Sequence, residues 1–86
     1  MRDSEFRAML ALDDRHWWYR GRRRVLAAVL DRLALPPAAT ILDAGCGSGR
    51  TLDDLARRGS VKGVELNPRG VAATRARGHE AAEAPV

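Results

Sequence analysis

Apolar residues recur along this chain with two different periods, and the change of period divides it. From Asp3 to Leu12, Phe6, Met9 and Leu10 fall at helical spacing, with Asp3 or Ser4 placed to cap the segment. A longer helix is predicted from Asp13 or Asp14 to about Leu33. Its apolar residues Trp18, Val25, Leu26, Val29, Leu30 and Leu33 share one stripe at roughly 100° per residue. Arg22 interrupts the stripe near its N-terminal end, Trp17 lies off it, and Arg20 and Arg24 point elsewhere. Pro36 and Pro37 end the helix, because proline pushes the residue before it out of the helical region.

Beyond the prolines the runs shorten. Thr40 to Asp43 reads as a buried strand, Ala44 to Gly49 as a glycine-rich turn, and Arg50 to Arg58 as a helix that Gly59 stops. Val61 to Leu66 is the second strand. Pro68 begins a helix to about Arg77 that Gly78 ends, and His79 to Ala84 begins a third strand. Strands alternating with helices over short connections imply parallel strands in an α/β layer. The chain thus divides into an N-terminal helical segment, 1–37, and a partial sheet domain, 38–86.

Composition narrows the classes of function. The chain has 86 residues, a net charge of +4 and 45% hydrophobic residues, which suits a small globular domain. The basic excess alone would suggest nucleic acid. Lys62 is the single lysine among 15 basic residues, however, and the arginines are spread from Arg2 to Arg77 with one cluster at Arg20 and Arg22 to Arg24. That spread argues against a dedicated nucleic-acid surface. Cys46 is the sole cysteine, so no internal disulfide forms. The N-terminus carries acids among its apolar residues and is unlike a signal peptide, and no apolar run approaches the ~20 residues of a membrane span. A soluble cytoplasmic protein is expected.

The informative segment is Ile41-Leu42-Asp43-Ala44-Gly45-Cys46-Gly47-Ser48-Gly49. Alternate glycines let backbone N–H groups approach a ligand, and the turn opens a helix whose N-terminus favours an anionic group. A phosphate-cradling loop would end in Gly-Lys-Ser/Thr, which is absent. A dinucleotide fingerprint would place its third glycine where Arg50 stands, and Asp43 would face a pyrophosphate unfavourably. A cationic, amino-acid-bearing ligand suits that carboxylate better. Glu65, at the end of the second strand, is placed to accept from ribose hydroxyls and supports a nucleoside ligand.

These two segments, Ile41 to Gly49 and Val61 to Pro68, resemble the first and second cofactor motifs of Rossmann-like (class I) S-adenosylmethionine-dependent methyltransferases. His16-Trp17-Trp18-Tyr19-Arg20-Gly21-Arg22-Arg23-Arg24 resembles the N-terminal helix of a branch acting on small molecules, and Gly78 to Val86 resembles the approach to the third motif. The resemblance implies a three-layer α/β fold represented by its N-terminal helix and first two to three parallel strands. It implies S-adenosylmethionine as cofactor and a small-molecule methyl acceptor. Asp43 and Gly45 would lie against the methionine end of the cofactor, Ala44 and Cys46 would also belong to the cofactor-binding residues, Gly47 and Gly49 would shape the loop, Glu65 would hold the ribose hydroxyls, and Leu66 and Asn67 would line the adenosine side. It also implies that the fourth strand, beside the first, and most of the acceptor pocket lie outside this sequence. Ile41 and Leu42 would then sit on an open strand edge, ready to pair with a C-terminal half or another chain.

Other residues carry weaker signals. Arg22 either snorkels to water or reaches towards the loop to pair with the cofactor's carboxylate or an acidic acceptor, while the neighbouring arginines read as a solvated face. Trp17, Trp18 and Tyr19 read as helix packing, with Trp17 the exception. Cys46 reads as a small loop residue without a base beside it, and His16 and His79 are isolated surface residues with no metal-ligand spacing. The glycine turn could also be purely structural, and Glu65 a solvated strand-end acid. Three functions compete: a methyltransferase, a non-catalytic module that pairs through its open edge, and a nicotinamide-binding domain, which Arg50 disfavours.

Overall fold

The computed structural model describes residues 3–12 and 17–85. The expected helix start at Asp13 or Asp14, and His16, lie outside the described residues. The elements run α1 (Asp3–Leu12), α2 (Trp17–Leu33), β1 (Thr40–Ala44), α3 (Arg50–Leu55), β2 (Ser60–Glu65), α4 (Pro68–Ala76) and β3 (Glu80–Glu83). The strands form one parallel sheet in the order β1-β2-β3. Thr40 pairs with Ser60, and Lys62 with Glu80. This is the α/β order read from the sequence, with ends shifted by up to three residues.

Strand alternation sorts the side chains between two faces. Ile41, Val61, Gly63 and Ala81 share the face on which α3 and α4 pack. A core of Cys46, Leu52 and Leu55 forms there, extended by Leu30, Ile41 and Val61. Val71 and Thr74 of α4 are buried as well. Leu42, Lys62 and Glu80 form the opposite row and are exposed. Leu42 is 62% exposed, and no helix covers this face among the described residues. Two of the three expected layers are thus present in the described residues, and β1 is an edge strand as anticipated.

Two local expectations change. The α3 helix ends at Leu55, and residues 56–58 continue as turn. Gly59 is not a left-handed stop. A Cβ there would collide with the Ala39 carbonyl oxygen, which accepts from Ser60 N–H at 3.0 Å. Close approach of two backbones, rather than a positive φ, requires glycine here. Gly78, with φ +88°, does end α4 in the expected way.

The larger correction concerns α2. Trp18, Val25, Leu26, Val29 and Leu33 are exposed, and of the predicted stripe only Leu30 packs on the core. The face against α3 carries Leu26 and Leu30 of the stripe together with Arg23 and Ala27, and charge anchors it. Arg23 is buried, with its Nε 3.8 Å from Asp54. Arg58 reaches back to Asp31 at 2.7 Å and to the Ala27 carbonyl at 3.4 Å. Arg23, predicted as part of a solvated face, is therefore an inward contact.

Gly63 is the tightest point of the sheet. A Cβ there would stand 2.6 Å from Cys46 Sγ and 3.1 Å from Leu52 Cδ1. Gly63→Ala is expected to destabilise the chain by about 1–3 kcal/mol in urea titrations, through overpacking. In a double-mutant cycle Cys46→Ala should recover part of that loss, because the two sites touch. Full additivity would show that the strain is relieved elsewhere.

Candidate functional site

The carboxyl ends of β1 and β2 lie side by side, and the turns that follow them build the site. Gly45 and Cys46 both donate N–H to the Val64 carbonyl, at 2.7 and 3.1 Å, which continues the sheet ladder into the glycine turn. Gly45, Gly47 and Gly49 all have positive φ, at 80°, 57° and 82°, so the turn needs residues without a Cβ penalty. Gly49 closes the turn by donating to Cys46 O at 3.0 Å and leads into α3.

Glu65 fixes this turn from the neighbouring strand. Its Oε1 accepts the Gly47 N–H and its Oε2 accepts the Asn67 N–H, both at 2.9 Å. Asn67 in turn caps α4, its Oδ1 accepting from Arg69 N–H at 2.9 Å. Glu65 is thus not a solvated strand-end acid. Its carboxylate joins the two βα turns, and each oxygen keeps a further lone pair for an outside donor.

The α1 helix lies over this junction. Buried Phe6 comes within 2.8 Å of where a Gly70 Cβ would stand, and Met9 Cε within 3.3 Å of the Gly47 position. Arg69 Nε holds Asp3 at 3.0 Å. Between α1, α2 and the turn runs an open cleft of about 1010 Å³, lined among others by Met9, Trp18, Arg22, Asp43, Gly45 and Glu65. A Cβ at Gly45 would meet nothing within 4 Å, so this glycine opens on free space beside the two carboxylates.

The predicted site residues divide accordingly. Asp43, Gly45, Cys46, Gly47, Glu65 and Arg22 line the cleft. Ala44, Gly49, Leu66 and Asn67 do not. Gly49 packs behind the turn, where a Cβ would lie 2.8 Å from Thr74 Cα. Leu66 is exposed, and the Asn67 side chain is committed to its cap. Arg22 is exposed, with its guanidinium carbon 5.7 Å from the Trp18 ring centroid. Trp17, also on the cleft, is 76% exposed.

Burial pushes the Asp43 carboxyl above its ordinary value, against a downward pull from the Arg22 charge, and the Glu65 charge adds to the rise. The Cys46 thiol is also pushed up, first by burial, which agrees with an inert loop residue. Sequence reading missed two groups. Phe6 and Met9 roof the turn, although only their helical spacing was legible. His79 is not isolated: its Nε2 lies 2.6 Å from Asp53 Oδ1, and Arg77 Nη1 donates to Asp53 Oδ2 at 2.8 Å. Among the described residues no cluster of groups could hold a metal ion, and no helix is long and apolar enough to cross a membrane.

A parallel sheet, a glycine turn at the end of its first strand and an acid at the end of its second agree with the comparison to known families. The model of the methyltransferase domain matches residues 42–86, just over half of the chain. The chain belongs to that family, the Rossmann-like, S-adenosylmethionine-dependent methyltransferases. Among solved structures it is similar to S-adenosylmethionine-bound CalS10, an amino pentose methyltransferase from Micromonospora echinaspora involved in calicheamicin biosynthesis. The two are 41% identical with a TM-score of 0.62, over 77% of this chain and 32% of that one. The chain therefore spans about a third of that enzyme's length. No curated protein matches it.

The raised Asp43 carboxyl has a pH signature. The folded chain binds more protons than the unfolded chain between the ordinary carboxylate value and the raised one. Stability therefore falls as pH rises through that window and stays lower above it. Asp43→Asn should melt above wild type at pH 7, with the advantage vanishing below the ordinary carboxylate range. A lower melting temperature at pH 7, read by circular dichroism, would show that this carboxylate stabilises the fold.

Proposed function

We propose that this chain holds S-adenosylmethionine in the cleft between α2 and the glycine turn, for methyl transfer to a small-molecule acceptor, with an amino sugar the best-supported class. The observation that carries the reading is the free space at Gly45, flanked by Asp43 and Glu65. These residues fit the cofactor's chemistry. A carboxylate at Asp43 suits the cationic amino-acid end, and the remaining lone pairs of Glu65 suit ribose hydroxyls. Gly47 and Gly49 would shape the turn, Ala44 and Cys46 would belong to its backbone, and Leu66 and Asn67 would approach the adenosine from the rim. Arg22 would meet the cofactor's carboxylate, which matches its place on the cleft and its pull on Asp43.

When bound, S-adenosylmethionine supplies a methyl group already activated on a sulfonium. The chain's own residues then have to bind, orient and exclude water, so that donor and acceptor meet in line. No catalytic residue is assigned. The amino-sugar class rests on the likeness to the amino pentose enzyme. A cytoplasmic setting rests on the single cysteine. A second reading, a non-catalytic module pairing through β1, draws support from exposed Leu42 and the helix-free face of the sheet.

Titration calorimetry of the purified chain tests the cofactor half. S-adenosylmethionine should bind and NAD should not. Glu65→Ala should weaken binding at least tenfold, on the scale of a lost charged hydrogen-bond acceptor, and Arg22→Lys should weaken it less. A folded chain that ignores S-adenosylmethionine sinks the proposal. Transfer of labelled methyl to amino sugars but not to neutral sugars would support the acceptor class, whereas binding without transfer to any acceptor favours the module.

A further inference from the structure

The glycine turn is held from two sides, and the side away from the cleft has no part in the reading above. Two residues of the α4 region, one turn apart, reach consecutive carbonyls of the turn. Thr74, fully buried, points its Oγ1 at Gly47 O at 3.4 Å and lies 3.3 Å from Cys46 Sγ. Arg77, the C-cap of α4, donates from Nε to Ser48 O at 3.2 Å. Its Nη1 holds Asp53 of α3 at 2.8 Å, and Asp53 holds His79 at 2.6 Å. The Arg77 guanidinium is therefore oriented by a carboxylate that is itself held from its other oxygen.

The consequence follows from peptide geometry. The described chain has no cis peptide, so a carbonyl held towards α4 turns the N–H that follows it to the opposite side. Holding Gly47 O directs the Ser48 N–H away from α4. Holding Ser48 O directs the Gly49 N–H back to Cys46 O, the bond that closes the turn. Ser48 lines the cleft, and α4 contributes nothing to that lining. The loop's left-handed glycines make its peptides easy to rotate, so an external hold is what selects one orientation.

We propose that Thr74 and Arg77 are positioning residues for cofactor binding. They fix the Gly47 and Ser48 peptides so that the turn is preorganised without either side chain touching the ligand. The inference rests on the cofactor reading above, and its test separates the two. Wild type, Arg77→Met, Thr74→Val and Thr74→Ser are compared as full chains. Amide hydrogen exchange in residues 45–50 is measured without ligand, and calorimetry with S-adenosylmethionine gives affinity. Arg77→Met keeps the aliphatic stem and removes every donor at a partly exposed site, so it is informative even if Thr74→Val fails to fold.

Arg77→Met and Thr74→Val should speed exchange at Gly49 and Arg50 while the β2 amides stay at wild-type rates. Both should weaken S-adenosylmethionine about three- to tenfold, the range expected for one lost hydrogen bond. Thr74→Ser, which restores the hydroxyl, should return both readouts. Wild-type exchange at the turn in Arg77→Met overturns the proposal, as does faster exchange with unchanged affinity. A wild-type chain that does not bind S-adenosylmethionine overturns the cofactor reading and this role with it, while the exchange data then show whether the clamp itself exists.

Discussion

Both oxygens of one carboxylate, Glu65, are taken up by backbone N–H groups from two different turns, and the upper end of the molecule is organised around that arrangement. Hydrogen bonds to an ionised acceptor are among the stronger ones in proteins. These two span the gap between the glycine turn after β1 and the capped turn after β2. The Glu65 side chain lies so close to α4 that a Cβ at Gly70 would stand 2.7 Å from its Cγ and as near to the Gly47 carbonyl. Position 70 must therefore remain glycine if the helix is to pack here. The acid at the end of β2 is a joint in the scaffold.

The α3 helix is short, and charge holds it in place on both flanks. Asp54 faces Arg23 and Arg50, while Asp53 faces Arg50, Arg77 and His79. Isolated surface pairs contribute little stability, because solvent screens them and ordering costs entropy. Here their value is directional. Together they fix the rotation of a helix whose first residue follows directly on the glycine turn. Arg23 pairs with Asp54 of α3, Ala27 and Asp31 hold Arg58 in the turn after it, and Val25 and Val29 line the cleft instead.

How much of this was legible depended on sequence distance. The strands, the glycine turn, the Pro68 start of α4 and the Gly78 stop are encoded within a few residues, and the structure places them where the sequence did. Asp43 and Glu65 could be paired across 22 positions because parallel βα units bring consecutive strand ends together. His79 with Asp53 and Arg23 with Asp54 join residues 26 and 31 positions apart, and no period or motif announces them. Trp18, Val25 and Val29 were misread as core for a related reason. Helical periodicity shows that a face is apolar, but not which partner covers it. Gly59 failed more locally, since a glycine required by close approach looks the same in sequence as one required by a left-handed turn.

Cys46 gives the glycine turn a chemical property of its own. A methyl donor with a positively charged sulfur is an alkylating agent, and an ionised thiol is a strong nucleophile towards it. The loop nevertheless carries a cysteine between two glycines. Its sulfur is buried, packed at the Gly63 backbone and beside the Thr74 hydroxyl, and its proton is held more tightly than in water. Burial thus disfavours the ionised thiol beside the cleft, and the sulfur fills the space between the turn and Gly63.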